Sequence, residues 1–222
     1  SSLYNLCDIK LLSTAGKEES IASTKALSAQ LFCLTLLALK YSNNDDSSQK
    51  IESMRNIPEQ REKILGRRKE LNKIVNAFRH SKSVVLLGSQ DCYALAKEGA
   101  LKIKETSYIN TTAYPTGEFL HGHIAILNKK CALIVLVNNQ NIQYTIDVLM
   151  KINNNFRTDT LIILSAIPIH EMDKNNFIQI ATKSEIDFLF SSLVILQLLA
   201  LESAVLLKRN IDSPKGLAKI VK

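Results

Sequence analysis

Glu98, Lys102 and Glu105 stand at i, i+4 and i+7, which puts them on one narrow stripe if the segment around them is helical. A carboxylate held beside an ammonium is a candidate general base. The plainer reading is a solvated Glu–Lys pair worth roughly 0.3 kcal/mol. Against it, Ala96, Gly99, Ala100 and Ile103 form a stripe suited to close packing, and Lys97 and Lys104 already make a separate charged stripe. An amphipathic helix needs only one solvated face. If the second charged stripe faces a cleft or another subunit, a buried Glu105 beside a cation has the surroundings of a general base; spacing alone leaves the surface pair open as well.

Downstream, His121 lies in the run GEFLHGH between Gly117 and Gly122, where flexible backbone lets an imidazole reach into a site. His121 and His123 are both acid/base candidates, and spacing does not choose between them. His80 and His170 sit in unpatterned polar stretches, and the four histidines show no metal-ligand spacing. Neither a metal nor a cofactor is expected. Gly88-Ser89-Gln90, ahead of the helix, suits a tight turn more than an anion-binding loop. Lys219 in the tail is by itself an ordinary terminal charge.

Hydrophobic periodicity supplies the elements that must hold these groups. A strand is expected at 8–12, then a helix over 22–41 with Ala26, Ala29, Phe32, Cys33, Leu36 and Leu37 on one face and Ser23 or Thr24 as its N-cap. The polar stretch 42–49 reads as a loop or boundary. Pro58 opens a helix over 59–80, whose run 61–73 alternates charge as a solvated face does. A buried strand follows at 84–87, with Ser89 or Asp91 capping the next helix. After a short strand and the Tyr114-Pro115 break come a strand at 131–138, a helix at 141–156, a strand at 161–166, a weaker strand at 177–180, a long helix at 185–209 and a polar tail. This alternation predicts an α/β fold with a parallel sheet and helices on both faces.

Composition narrows the class. The 222 residues are 46% apolar, enough for a sizeable core. The four cysteines, Cys7, Cys33, Cys92 and Cys131, follow no disulfide or metal spacing, which favours free thiols in a reducing cytoplasm. No signal-peptide pattern opens the chain. Residues 188–207 have the length of a membrane span, but Gln197 and Glu202 interrupt them, so a buried core helix is expected. The net charge of +7 suits anionic ligands, while scarce aromatics and the lack of a recognition motif speak against nucleic acid.

Four segments, AGKEESIASTKALSAQL (15–31), EGALKIKETSYI (98–109), AYPTGEFLHGHIAIL (113–127) and SPKGLAKIV near the end, occur in an order that resembles the sugar isomerase (SIS) domains of the glucosamine-6-phosphate synthase family. The resemblance implies a three-layer, doubly wound parallel sheet of the SIS type, with one complete subdomain plus part of a preceding one. Residues 1–42 would end a first SIS subdomain, 43–57 would be a linker, 58–208 a second SIS subdomain and 209–222 an active-site tail. It further implies conversion of fructose 6-phosphate and glutamine-derived ammonia to glucosamine 6-phosphate. A glutaminase domain would lie upstream in the parent chain, and the assembly would be a homodimer or larger. The family's S-Q-S-G-E-T type phosphate loop does not occur in these residues, and Gly88-Ser89-Gln90 does not replace it.

By position, Glu105 matches the family's proton-shuttling base, with Lys102 and Glu98 in the same motif. His121 matches a ring-opening histidine that enters from a neighbouring subunit. Ala218 and Lys219 match the tail whose lysine reaches the open-chain sugar, and Ile21 and Ser23 match sugar-contacting positions. A lysine amine can also form an imine with a ring-opened ketose. Departures exist: Leu120 and His123 stand where the family has lysine and proline, and Pro214-Lys215-Gly216-Leu217 is closer to sugar-phosphate deaminases. The alternatives are thus a glucosamine-6-phosphate deaminase or other SIS isomerase, or a sugar-phosphate-binding regulator without turnover.

Overall fold

The structure is a computed structural model that describes residues 2–42, 44–155, 158, 160–169, 177–182 and 184–219. His170 lies outside the described residues. Three runs rich in β-branched and aliphatic residues, Ser83–Gly88 (β1), Cys131–Val137 (β3) and Thr160–Ser165 (β4), form the middle of a sheet. Such continuous apolar strands persist where both faces are covered. Asn110–Pro115 (β2) and Phe177–Gln179 (β5) complete it in the order β2-β1-β3-β4-β5, with every pairing parallel.

Two cores sandwich this sheet. On one face, side chains of β1, β3 and β4 such as Leu86, Ile134 and Leu164 meet three helices. These are Arg68–Phe78 (α5), Asp91–Ser107 (α6) and Glu185–Leu206 (α9). On the other, Val85, Leu133 and Ile163 meet Thr116–Phe119 (α7), the 3-10 turn His123–Ile126 and Ile142–Asn155 (α8). Each fully buried aliphatic side chain contributes roughly 1.5–3 kcal/mol, so this double core dominates stability. The expected three-layer α/β architecture is the one observed.

Among the described residues α9 is the one helix long and apolar enough to cross a membrane. It is instead the central helix of one layer, packed on α6, on α5 and on Ile57–Leu65 (α4). Gly99 permits the α6–α9 approach: a Cβ there would lie 2.9 Å from both Leu196 methyls and 3.0 Å from Leu86 Cδ2. The stripe of small residues does pack on the sheet layer as its spacing suggests.

Several local expectations need correction. Residues 8–12 form no strand. Ile9, Leu11 and Leu12 are exposed, and an extended segment without a partner strand gains no ladder hydrogen bonds. The chain instead begins with a short helix, Ser2–Leu6 (α1), and the helix expected at 22–41 runs Lys25–Ser42 (α2). Residues 44–57 are largely helical, with Ser47–Ser53 (α3) followed by a 3-10 turn, because Met54 and Ile57 are buried against Phe190.

The single helix expected over 59–80 is two helices, α4 and α5, broken at Gly66-Arg67. Glycine is a poor helix former, and Arg67 leaves the helix to donate to Gln179 O and to the Glu70 carboxylate, each at 2.8 Å. Neither Ser89 nor Asp91 caps α6: Gln90 occupies the N-cap at φ 51°, ψ −122°, without a side-chain cap.

Candidate active site

Helix α6 carries the charged stripe, with Lys102 buried and Glu98 and Glu105 half-buried. Lys102 is 5% exposed as a residue, yet its ammonium is held from both sides by its own helix. Its Nζ donates to Glu105 Oε2 at 2.7 Å and lies 3.5 Å from Glu98 Oε1. The second contact is an ion pair without hydrogen-bond geometry, and Glu98 Oε1 has no hydrogen-bond donor. Burial pushes the Glu98 carboxyl above its ordinary range, with the Lys102 charge opposing and Glu105 adding to the rise. A lone buried ammonium would be far costlier than this triad, so the three residues stand or fall together.

The C-terminal end of α6 is tied down by groups that spacing did not single out. Thr106 Oγ1 donates within reach of Lys102 O at 2.8 Å and Ala200 O at 3.2 Å, stitching α6 to α9. Tyr108 then turns the chain out of the helix at φ 64°. Its hydroxyl accepts the Lys215 amide at 2.6 Å, and Arg209 lies over its ring at 5.1 Å. One residue thus ends the charged helix and anchors the tail.

The tail in turn meets residues 18–24. Ile21 N donates to Asp212 O at 3.1 Å and Ser20 Oγ to Ile211 O at 3.3 Å. Lys219 Nζ donates to Ser20 O at 2.6 Å and also to Glu18 O.

Glu18 organises this loop. Its carboxylate accepts the Ala26 and Thr24 amides at 2.8 and 3.1 Å and the hydroxyls of Ser23 and Thr24 at 3.2 and 3.3 Å. It therefore caps α2 in place of the expected Ser23 or Thr24 side chain. Partial burial works upward on its pKa, but these donors outweigh it and hold the carboxyl below its ordinary value.

A cavity of about 340 Å³ lies where these pieces converge. Ser20, Ala22 and Thr24 line it from the loop, Lys102 and Thr106 from α6, and Ile211 and Asp212 from the tail. The structure therefore gathers Glu98, Lys102, Glu105, the segment holding Ile21 and Ser23, and the anchored tail that carries Ala218 and Lys219. Of the charged stripe and Lys219, only Lys102 lines the cavity itself, and a carboxylate hydrogen-bonded to that ammonium suits proton transfer next to a carbonyl.

His121 is not part of this gathering. Its loop follows β2, and its neighbours Phe119 and Leu120 belong to the second core, whereas α6 belongs to the first. The six residues of β2, about 20 Å long, also carry the chain away from the end of α6 before His121 is reached. Both histidines are exposed, and they differ in that the His123 ring is stacked on Tyr114 with ring centroids 4.3 Å apart.

Comparison with known proteins agrees with this architecture. The SIS domain family model matches residues 77–207. Glutamine–fructose-6-phosphate aminotransferase (isomerizing) of Escherichia coli strain K12 is 31% identical over 233 residues, and that of Pseudomonas syringae pv. tomato is 32% identical over 234. Each alignment covers all of this chain but 37% of the relative. The C-terminal domain of glucosamine-fructose-6-phosphate aminotransferase from Francisella tularensis superposes with a TM-score of 0.85 at 30% identity, covering 96% of this chain and 62% of that one. Tagatose-6-phosphate ketose/aldose isomerase from Escherichia coli shares the fold, with a TM-score of 0.74 at 18% identity over 91% of this chain and 55% of that one.

Proposed function

Because the chain belongs to the SIS domain family, we propose that it is the isomerase part of an enzyme making glucosamine 6-phosphate from fructose 6-phosphate and glutamine-derived ammonia. The observation that carries this reading is the Lys102 ammonium, buried at a cavity wall and bracketed by Glu105 and Glu98. The similarity to isomerizing aminotransferases along the whole chain supports it. The chain spans little more than a third of those relatives, and in this reading a glutaminase domain elsewhere in the parent protein supplies the ammonia. Residues 1–42 belong to a first SIS subdomain, 43–57 link it to a second at 58–208, and 209–222 close the site. The enzyme works in the cytoplasm.

The chemistry follows from the residue types. Ammonia adds to the C2 carbonyl of the open-chain ketose and water leaves, giving a C2 imine; Glu105 then removes a proton from C1 and returns it at C2, which leaves the amine on C2 and the aldehyde at C1. Lys102, already touching that carboxylate, stabilises the oxygen that turns negative in the enediol-like intermediate. Glu98 holds Lys102 in place. Lys219 reaches the carbonyl of the open-chain ketose, and Ile21, Ser23 and Ala218 contact the sugar. His121 opens the ring in the site of a second copy, which accounts for its distance from Glu105 within one chain and makes the working unit at least a homodimer. An assay of the full-length parent for glutamine-dependent glucosamine 6-phosphate formation tests the reading directly. A parent that binds the sugar phosphate without forming product over long incubation would leave only the regulator.

A further inference from the structure

Helices α6 and α9 pack on one another, and the chain leaves each through a residue in the left-handed region, Tyr108 at φ 64° and Lys208 at φ 55°. Glycine is the usual occupant of such a position. A side chain kept there against its backbone cost points to a use for that side chain. The turn at Lys208 brings Arg209 N to Ala204 O at 2.8 Å, and the Arg209 guanidinium lies 5.1 Å from the centre of the Tyr108 ring. The tail therefore starts over the end of α6.

Beyond Arg209 the tail has irregular backbone. Asp212 O and Ile211 O accept from Ile21 N and Ser20 Oγ, and Lys219 Nζ donates back to Ser20 O. These ties join the tail to another irregular segment. The Lys215 amide differs, since it donates to the Tyr108 hydroxyl at 2.6 Å. Its neighbour Pro214 is the one buried residue of 209–219. Among the described residues this is the one hydrogen bond that ties 210–219 to a helix end, and the helix carries Lys102 and, three residues before Tyr108, Glu105. Ile211 and Asp212, on one side of the tie, line the cavity, and Lys219 lies on the other.

We propose that Tyr108 is a positioning residue whose hydroxyl fixes where the tail lies against α6, and so where Lys219 stands relative to Glu105. The proposal rests on the isomerase reading of those two residues. Arg209 over the ring gives the hydroxyl a fixed place, and a small misplacement of a reacting group is costly in rate.

Steady-state kinetics of the full-length parent test it. Tyr108→Phe keeps the ring under Arg209 and removes only the acceptor. Its kcat is expected to fall about tenfold, the upper range for one neutral hydrogen bond, while KM for fructose 6-phosphate changes less than about twofold. In a Lys219→Ala background the same change is expected to cause no further loss, because coupled groups are not additive. Arg209→Gln leaves the hydroxyl in place and is expected to lose about threefold in kcat, again only while Lys219 is present. It carries the test if Tyr108→Phe does not fold. Hydrogen exchange at the Lys215 amide is expected to quicken about tenfold in Tyr108→Phe, with the Thr106 amide unchanged. Unchanged Lys215 exchange would overturn the proposal, as would a loss of kcat that persists in the Lys219→Ala background, since Tyr108 would then act on the fold alone. Undiminished kcat in Tyr108→Phe, in a parent that Glu105→Gln inactivates, removes the proposal and leaves the isomerase reading standing. A parent that isomerises no sugar removes both.

Discussion

Lys102 Nζ donates to Glu105 Oε2 at 2.7 Å while its side chain is only 7% exposed. The pair is three residues apart on one helix, so no loop movement is needed to form it, and removing either member strands the other. Lys102→Met fills the space but leaves Glu98 and Glu105 without their cation. Since both carboxylates are about one-fifth exposed, the loss is expected to be about 2 kcal/mol, below the range for fully buried pairs. Urea unfolding of the variant reads it directly.

Glu105→Gln separates catalysis from stability. Its amide oxygen still accepts the Lys102 ammonium, so unfolding free energy is expected to stay within about 1 kcal/mol of the unaltered protein. An amide takes no proton, so isomerisation in the full-length parent is expected to fall by about 10²–10⁴-fold. Undiminished turnover would remove Glu105 from the role of base.

The stripe was legible because helical spacing alone aligns 98, 102 and 105, whereas the burial of Lys102 comes from packing against elements far away in sequence, which spacing does not encode. The strands were legible as unbroken apolar runs. The strand at 8–12 was misread because the pattern DIKLL carries no information about whether a partner strand exists. Glu18 was invisible for a related reason: capping rules look for a carboxylate after the cap residue, whereas this one reaches forward from six residues before Thr24. Tyr108 gains its interest only from an element far away in sequence, the tail.

The Glu18 cap carries a pH signature. Its folded carboxyl is held below its ordinary value of 4.5, so the stabilisation is fully present above that value and is lost as pH falls through the folded one. The group is largely solvated, which keeps the effect near the usual cap magnitude. Glu18→Ala is expected to lower stability by about 1 kcal/mol at neutral pH and by much less near pH 3. A difference that stays constant between the two pH values would show that the carboxylate charge plays no part.

Gly88 sets the turn from β1 into the charged helix. A Cβ at this position lies 2.4 Å from the Cys92 carbonyl oxygen and 2.7 Å from Tyr93 N. Both are backbone atoms of the first turn of α6 and cannot rotate away. Gly88→Ala is expected to cost about 3 kcal/mol or more, the upper part of the range for overpacking, and to shift α6 against β1. Thermal unfolding of Gly88→Ala reads the cost, and a loss below about 1 kcal/mol would show that the turn yields to the added methyl.

His121 follows residues of one core while Glu105 sits on a helix of the other, and in the proposed reading a site using both draws them from two copies. That relation can be tested by mixing two inactive variants of the parent, Glu105→Gln and His121→Asn. If His121 serves the neighbouring site, each mixed dimer has one site with an intact Glu105 facing an intact His121, and its other site lacks both. Random association makes half of the dimers mixed, and each restores one site of two, so about a quarter of the unaltered activity is expected. If His121 serves its own chain, every site in the mixture lacks one group and activity stays at background. Coexpression followed by a glucosamine 6-phosphate assay decides between the two arrangements, and recovery that disappears on dilution into monomers would tie it to the shared interface.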